Sequence, residues 1–163
     1  RIDFYRMDAQ NLGFEDNTFD VVISRNLTWN LEKPWQAYRE WYRVLKPGGR
    51  LLNFDANWYG YLYDEEKRKA YEQDRKNVEQ HSLDDHYLCT DIDAMEQIAL
   101  EMPLSAKTRP GWDAEILKET GFAEIHTDTK VWERVWSEEE KLNYGSTPMF
   151  MIHGRKGDSK VYA

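Results

Sequence analysis

The sequence predicts an α/β fold with a mostly parallel sheet and an antiparallel last strand. Two observations carry this. First, Phe19-Asp20-Val21-Val22-Ile23-Ser24 and Arg50-Leu51-Leu52-Asn53-Phe54-Asp55 read as strands, and a segment of helical period lies between them. The first run is β-branched and nearly continuous in hydrophobicity, as a strand covered on both faces should be. Strand, helix, strand over Phe19–Phe54 makes a βαβ unit, hence parallel strands joined by a right-handed crossover. Second, the end of the chain offers two further strands, Ala123–Trp132 and Met149–His153, expected to close as an antiparallel pair.

The remaining elements follow in order. Ile2–Met7 is a short mixed run compatible with an edge strand. Residues 8–14 form a polar connection, and Glu15-Asp16-Asn17-Thr18 reads as a turn. Pro34 suits a first helical turn. Trp35, Tyr38, Trp41 or Tyr42, and Leu45 then recur at three- to four-residue spacing, and Pro47-Gly48-Gly49 stops the helix. Residues 57–110 read as an insertion. Within it, Asp64–Glu79 is a charged, solvated helix with i,i+4 pairs, and Asp91–Glu101 has helical apolar spacing. Asp113 is expected to cap a helix that runs to Thr120 and ends at Gly121. Ile125, Thr127, Thr129 and Val131 alternate as a half-buried strand should. No repeat or linker divides the chain, so residues 1–163 are read as a single domain, with 57–110 as its helical insertion.

Composition narrows the function. The 163 residues carry a net charge of −8, which argues against a nucleic-acid or anionic-membrane binder, since both need clustered Lys and Arg. No apolar run approaches the length of about 18 residues needed to span a bilayer. No secretory signal pattern opens the chain, and a single cysteine, Cys89, suits a reducing cytoplasm. At 14% aromatic the chain is too rich in ring side chains to be disordered.

Asp8-Ala9 ahead of Leu12 and Phe14, then Phe19-Asp20-Val21-Val22-Ile23-Ser24, then Val44-Leu45-Lys46-Pro47-Gly48-Gly49-Arg50-Leu51-Leu52 resembles the class I S-adenosylmethionine-dependent methyltransferases, closest to the small-molecule subgroup. Glu115–Phe122 is similar to that family's penultimate helix and its turn into the next strand. The matches run from about Asp8 to Phe122. The resemblance implies a Rossmann-like sheet with S-adenosyl-L-methionine as cofactor and a small-molecule methyl acceptor.

It also implies roles. Ligands of open parallel sheets sit outside the carboxyl ends of the strands. Asp8 and the Ala9 N–H are the positions where the family meets the adenine; read alone, Asp8 simply starts a turn. Ser24, Arg25 and Asn26 leave the next strand beside the methionine end of the cofactor. Trp29 follows as an acceptor-site candidate, or as a core aromatic. The family often has a His-His pair where this chain has Trp29-Asn30, so no general base is assigned. Asp55 and Asn57 face substrate or form Asx turns, and Trp58 and Tyr59, with Tyr61 and Tyr63, wall an apolar acceptor site or pack helices. His81 and His86 flank Asp84-Asp85 near Cys89, but the spacing matches no standard zinc pattern, and no metal is expected. Cys89 has no visible activating partner.

The family's first strand, Gly-x-Gly-x-Gly loop and acid-ended second strand have no counterpart in this sequence. The chain is therefore expected to be an N-terminally truncated piece of the domain that binds cofactor poorly alone. Its exposed sheet edges would invite pairing with a second copy. Two rivals stand beside this reading: a non-catalytic half-domain that associates through its sheet edge, and a nicotinamide-dependent dehydrogenase fragment of the same sheet type.

Overall fold

Phe19–Arg25 (β1) and Leu45–Asp55 (β2) run parallel, joined by the helix Pro34–Val44 (α1). This computed structural model describes residues 1–158. After β2 come Glu65–Gln80 (α2), Ile92–Glu101 (α3) and Gly111–Thr120 (α4). Phe122–Asp128 (β3), Trp132–Val135 (α5), Glu138–Tyr144 (α6) and Phe150–Lys156 (β4) complete the order. The sheet runs β1-β2-β4-β3, and β4 is antiparallel to both of its neighbours. The predicted α/β class, the parallel unit and the antiparallel last strand are all present.

The core lies between α1, α4 and the sheet. Ala37, Tyr38 and Trp41 from α1 meet Leu45 and Leu51 of β2, Leu117 of α4, Phe122 of β3 and Ile152 of β4. Burying each large apolar side chain contributes about 1.5–3 kcal/mol before entropy is counted. The stripe on α1 is Pro34, Ala37, Tyr38, Trp41 and Val44, which keeps Tyr38 and Trp41 of the sequence reading and has Pro34 and Val44 in place of Trp35 and Leu45. Trp35 is 38% exposed, because the stripe that meets the sheet is set by Tyr38 and Trp41.

Four boundaries differ from the sequence reading. Residues 2–7 form no strand. Ile2 and Phe4 are exposed, nothing among the described residues pairs with their backbone, and the first bridge is Asp8 with Asn11. Tyr5 stands edge-on to Phe14, which stands edge-on to Phe19. Strand β2 begins at Leu45 rather than Arg50. Phe19 pairs with Leu45 and Val21 with Arg50, so Lys46–Gly49 bulges out of the ladder. Gly49 is required there, since a Cβ would lie 2.8 Å from the Lys46 carbonyl oxygen.

Strand β3 ends at Asp128, not Trp132. Asp128 Oδ1 accepts from the Lys130 N–H at 2.8 Å and turns the chain, and Val131 is buried at the entry to α5. Asp113 is not a cap. It lies in the first turn of α4, fully buried against Arg109 and Tyr38. The stop at Gly121, with φ 108°, is as expected.

Helices α2 and α3 open with the capping carboxylates Asp64 and Asp91, which accept from Lys67 N and Ala94 N. The charged face of α2 carries an i,i+3 pair, Lys69–Glu66, rather than i,i+4 pairs. Its other face is not solvated: Val78 is buried, and Asp74 Oδ2 accepts from the Ser146 N–H at 2.7 Å.

Candidate active-site cleft

The carboxyl ends of the two parallel strands deliver their next residues to one place. Asn26 ends β1 in the left-handed region (φ 52°), and its N–H donates to Phe54 O at 2.9 Å. Asp55 ends β2 and is fully buried. One Asp55 oxygen accepts from the Trp29 N–H (2.9 Å), the Thr28 hydroxyl and Arg109 Nη1 (2.9 Å). The other accepts from its neighbour Ala56 N–H (2.9 Å) and from Trp58 Nε1 (3.1 Å). A single carboxylate thus fixes the loops that follow both strands.

Arg109 completes this network from the segment before α4. Its Nε and Nη2 donate to Asp113 at 2.9 and 2.8 Å, and Nη2 also reaches Thr28 Oγ1 at 2.8 Å. Tyr38 donates to Asp113 at 2.6 Å and accepts from Asn53 Nδ2 at 2.7 Å. Burial alone would lower the affinity of Arg109 for its proton, but the Asp113 and Asp55 carboxylates outweigh it and hold the guanidinium charged. Burial, reinforced by Asp113, keeps the Tyr38 phenol protonated.

Above this hub lies a cleft of about 330 Å³. Asn26, Trp29, Trp58 and Tyr59 form one wall. His86, Tyr87, Thr90 and Met95, from the 57–110 segment, and Tyr144 from α6 form the other. The rings are in contact: Trp29 with Tyr59 at 5.4 Å between centroids, and Trp58 with Tyr144 at 5.3 Å. A second hollow of about 520 Å³ runs along the outer side of β1, bordered by Phe19, Val21, Ile23, Ser24, Arg25 and Asn26 among others. Asn26 borders both spaces. Ser24 Oγ is buried and, among the described residues, has no hydrogen-bond partner.

Comparison with known proteins fits this arrangement. Residues 1–53 match a family model described as a methyltransferase domain. The ubiquinone/menaquinone biosynthesis C-methyltransferase UbiE of Ruegeria sp. (strain TM1040) is 49% identical over 51 residues, 31% of this chain and 20% of that protein. Over these residues the chain is similar to methyltransferase domains. It spans about a fifth of the length of that UbiE relative. Its fold is that of solved methyltransferases. A SAM-dependent methyltransferase from Thermotoga maritima superposes with a TM-score of 0.55 at 20% identity, over 92% of this chain and 62% of that one. Phosphoethanolamine N-methyltransferase 2 of Haemonchus contortus, solved in complex with S-adenosyl-L-methionine, gives 0.54 at 17%, over 93% and 36%.

The residues that the methyltransferase resemblance singled out are not all brought together. Trp29, Trp58 and Tyr59 line the cleft with Asn26. Ser24 and Arg25 border the β1 hollow instead, and Arg25 lies 3.8 Å from Glu140 of α6. Asp8 and Ala9 sit beside the start of α1: Gln10 Oε1 accepts from the Lys33 N–H at 2.6 Å, and Asp8 Oδ1 accepts from the Gln10 N–H at 2.8 Å. Asp55 lies beneath the cleft wall with both oxygens engaged. Asn57 turns toward Arg109, donating to its carbonyl at 3.1 Å, and borders a separate pocket of about 190 Å³.

Sequence reasoning missed His86 and Tyr144 as cleft residues and Arg109 as the counterion of Asp55. His86 and Tyr144 lie 58 positions apart. A shared helix face, a motif or a common strand end would have linked them, and none does.

Proposed function

We propose that this chain serves the transfer of a methyl group from S-adenosyl-L-methionine to a small-molecule acceptor held in the aromatic cleft. One observation carries the reading: Asn26 borders both the hollow along β1 and the cleft, at the carboxyl end of the parallel strands, where open α/β sheets bind ligands. On this reading Asp8, Ala9, Ser24, Arg25 and Asn26 face the cofactor. The buried Ser24 hydroxyl, with no partner of its own, supports a polar ligand there. Trp29, Trp58 and Tyr59 contact the acceptor, while Asp55 and Asn57 hold the wall from behind. Residues 57–110 act as a helical lid on a single incomplete domain. A cytoplasmic setting belongs to the same reading; among the described residues no helix is long and apolar enough to cross a membrane.

The cofactor supplies an already activated methyl group. The chain's own contribution is therefore orientation and exclusion of water. The glycine-rich loop that would grip the cofactor's other end is not in this sequence, so the chain alone holds it weakly. Ultraviolet cross-linking with methyl-labelled S-adenosyl-L-methionine captures weak complexes and tests the reading. We expect label on the peptide that contains Ser24–Trp29, suppressed when S-adenosylhomocysteine is present during irradiation. Label elsewhere, or label that S-adenosylhomocysteine does not suppress, refutes it.

A second reading has its own observation. Val21 and Ile23 on β1 are 47% and 67% exposed, and β1 is a sheet edge. We propose that a second copy pairs there. Light scattering would show a dimer that dissociates on Ile23→Lys; a monomer at all concentrations refutes it.

A further inference from the structure

His86 stands in the cleft wall between two partners. Its Nδ1 lies 2.8 Å from the Tyr144 hydroxyl, and its Nε2 lies 3.1 Å from Glu139 Oε1. A carboxylate only accepts, so the proton on the neutral ring belongs at Nε2, donated to Glu139. Nδ1 is then an acceptor, and the Tyr144 hydroxyl must be the donor to it. The chain of bonds runs Tyr144 to His86 to Glu139, the order of an oriented general base.

The surroundings fix this geometry. The His86 N–H donates to Asn143 Oδ1 at 3.0 Å, and Asn143 is 1% exposed. Arg75 pairs with Asp85 and donates to the Asn143 carbonyl, so its charge is spent behind the wall. Glu140, the other acid near Tyr144, faces Arg25. Glu139 is thus the one carboxylate bonded to the ring among the described residues. The Ser137 capping box starts α6 and holds Glu139 and Tyr144 on one short helix. Burial, with Glu140 nearby, raises the Tyr144 phenol above its ordinary value, which keeps its proton available for donation.

We propose that Tyr144, His86 and Glu139 form the proton-accepting relay of the cleft, and that the acceptor is a flat ring bearing an ionisable hydroxyl. The inference rests on the methyl-transfer reading above. Two ring pairs line the cleft, Trp29 with Tyr59 and Trp58 with Tyr144, and such aromatic surface suits a planar guest. As the acceptor oxygen forms its bond to the incoming methyl carbon, the sulfur–carbon bond breaks and its electron pair returns to sulfur. The acceptor's proton passes to the Tyr144 oxygen, while the Tyr144 proton moves to His86 Nδ1. The product is a neutral methyl ether, a neutral thioether and an imidazolium paired with Glu139. Tyr144 is the catalytic residue here; His86 and Glu139 act through it.

The test uses 4-nitrophenol, whose anion absorbs in the visible, and needs no cofactor. The full chain is titrated below the probe's own pKa, with occupancy followed by quenching of tryptophan emission. We expect saturable quenching together with the phenolate band. His86→Gln should retain the quenching and lose at least tenfold of the band. Glu139→Gln, which leaves the ring in place, should weaken the band severalfold, and Tyr144→Phe should abolish it. No saturable quenching, a bound probe that stays neutral in the wild type, or an undiminished band in His86→Gln each overturns the relay. Suppression of the cofactor cross-link by S-adenosylhomocysteine is a separate readout, so the relay and the methyl-transfer reading can fail independently.

Discussion

Arg109→Met is the sharpest test of the network under the cleft. The arginine side chain is 1% exposed and serves two fully buried carboxylates. Methionine keeps the stem's packing and removes the charge. Asp55 retains its donors from Thr28, Trp29, Ala56 and Trp58, whereas Asp113 keeps only Tyr38 among the side-chain bonds. Removing one partner of a buried ion pair costs about 3–5 kcal/mol. At a urea dependence of about 2 kcal/mol/M, the unfolding midpoint should fall by about 1.5–2.5 M.

The second variant localises the loss. Asp113→Asn added to Arg109→Met should recover about 1–2 kcal/mol, because one of the two stranded charges is gone. Trp58 emission should shift in Arg109→Met alone, since Asp55 holds the indole N–H. A loss below about 1 kcal/mol would place the pair among interactions that desolvation cancels, and would refute the reasoning. A full loss with no recovery in the double variant would remove Asp113 from the account.

Three further outcomes follow from other parts of the fold. Hydrogen bonds from Arg43, followed by one from the Leu12 N–H, hold the Glu40 carboxyl below its ordinary range. Its contribution is therefore present above the unfolded glutamate range and lost as pH falls through the lowered folded value. Glu40→Gln should cost about 1.5 kcal/mol at neutral pH, and the difference from wild type should vanish in acid, as read by urea midpoints across pH. Gly121→Ala forces a side chain into positive φ against the Tyr42 hydroxyl, 3.3 Å away, and should cost about 1–2 kcal/mol in thermal unfolding. Trp58→Phe removes the indole bond to Asp55 and should cost about 1 kcal/mol while weakening 4-nitrophenol quenching.

What the sequence made legible was whatever local pattern controls. Phe19–Ser24 is β-branched, and its strand and its parallel partner were readable from a dozen residues, but β1 is not covered on both faces as its hydrophobic run suggested, because it lies at the sheet edge with Val21 and Ile23 exposed. The stop at Gly121 was readable because a left-handed residue ending a helix is a local event. Asp113 misled for the complementary reason. An aspartate near a helix start is usually a cap, and only the approach of Arg109 and Tyr38, one of them 75 positions away, turns it inward. Residues 2–7 have strand composition, but a strand exists only where another backbone pairs with it. Asp55 was placed correctly at a strand end, yet its donors come from residues 28 to 109. His86 carried no site signal, because the spacing of its acidic neighbours matches no metal pattern and its partners lie on α6, more than fifty positions further on.

The Asp55 hub also bears on any attempt to re-engineer this cleft. The Trp58 indole is bonded to the same carboxylate that neutralises Arg109, so replacing it draws on the stability of the sheet–helix junction, whereas Trp29 bonds that carboxylate through its backbone N–H, which a substitution keeps. Tyr59, Thr90 and Met95 line the same space without a bond to that carboxylate. A library built on those three can change the shape of the guest site while leaving the foundation intact. One built on Trp58 would mostly select for folding.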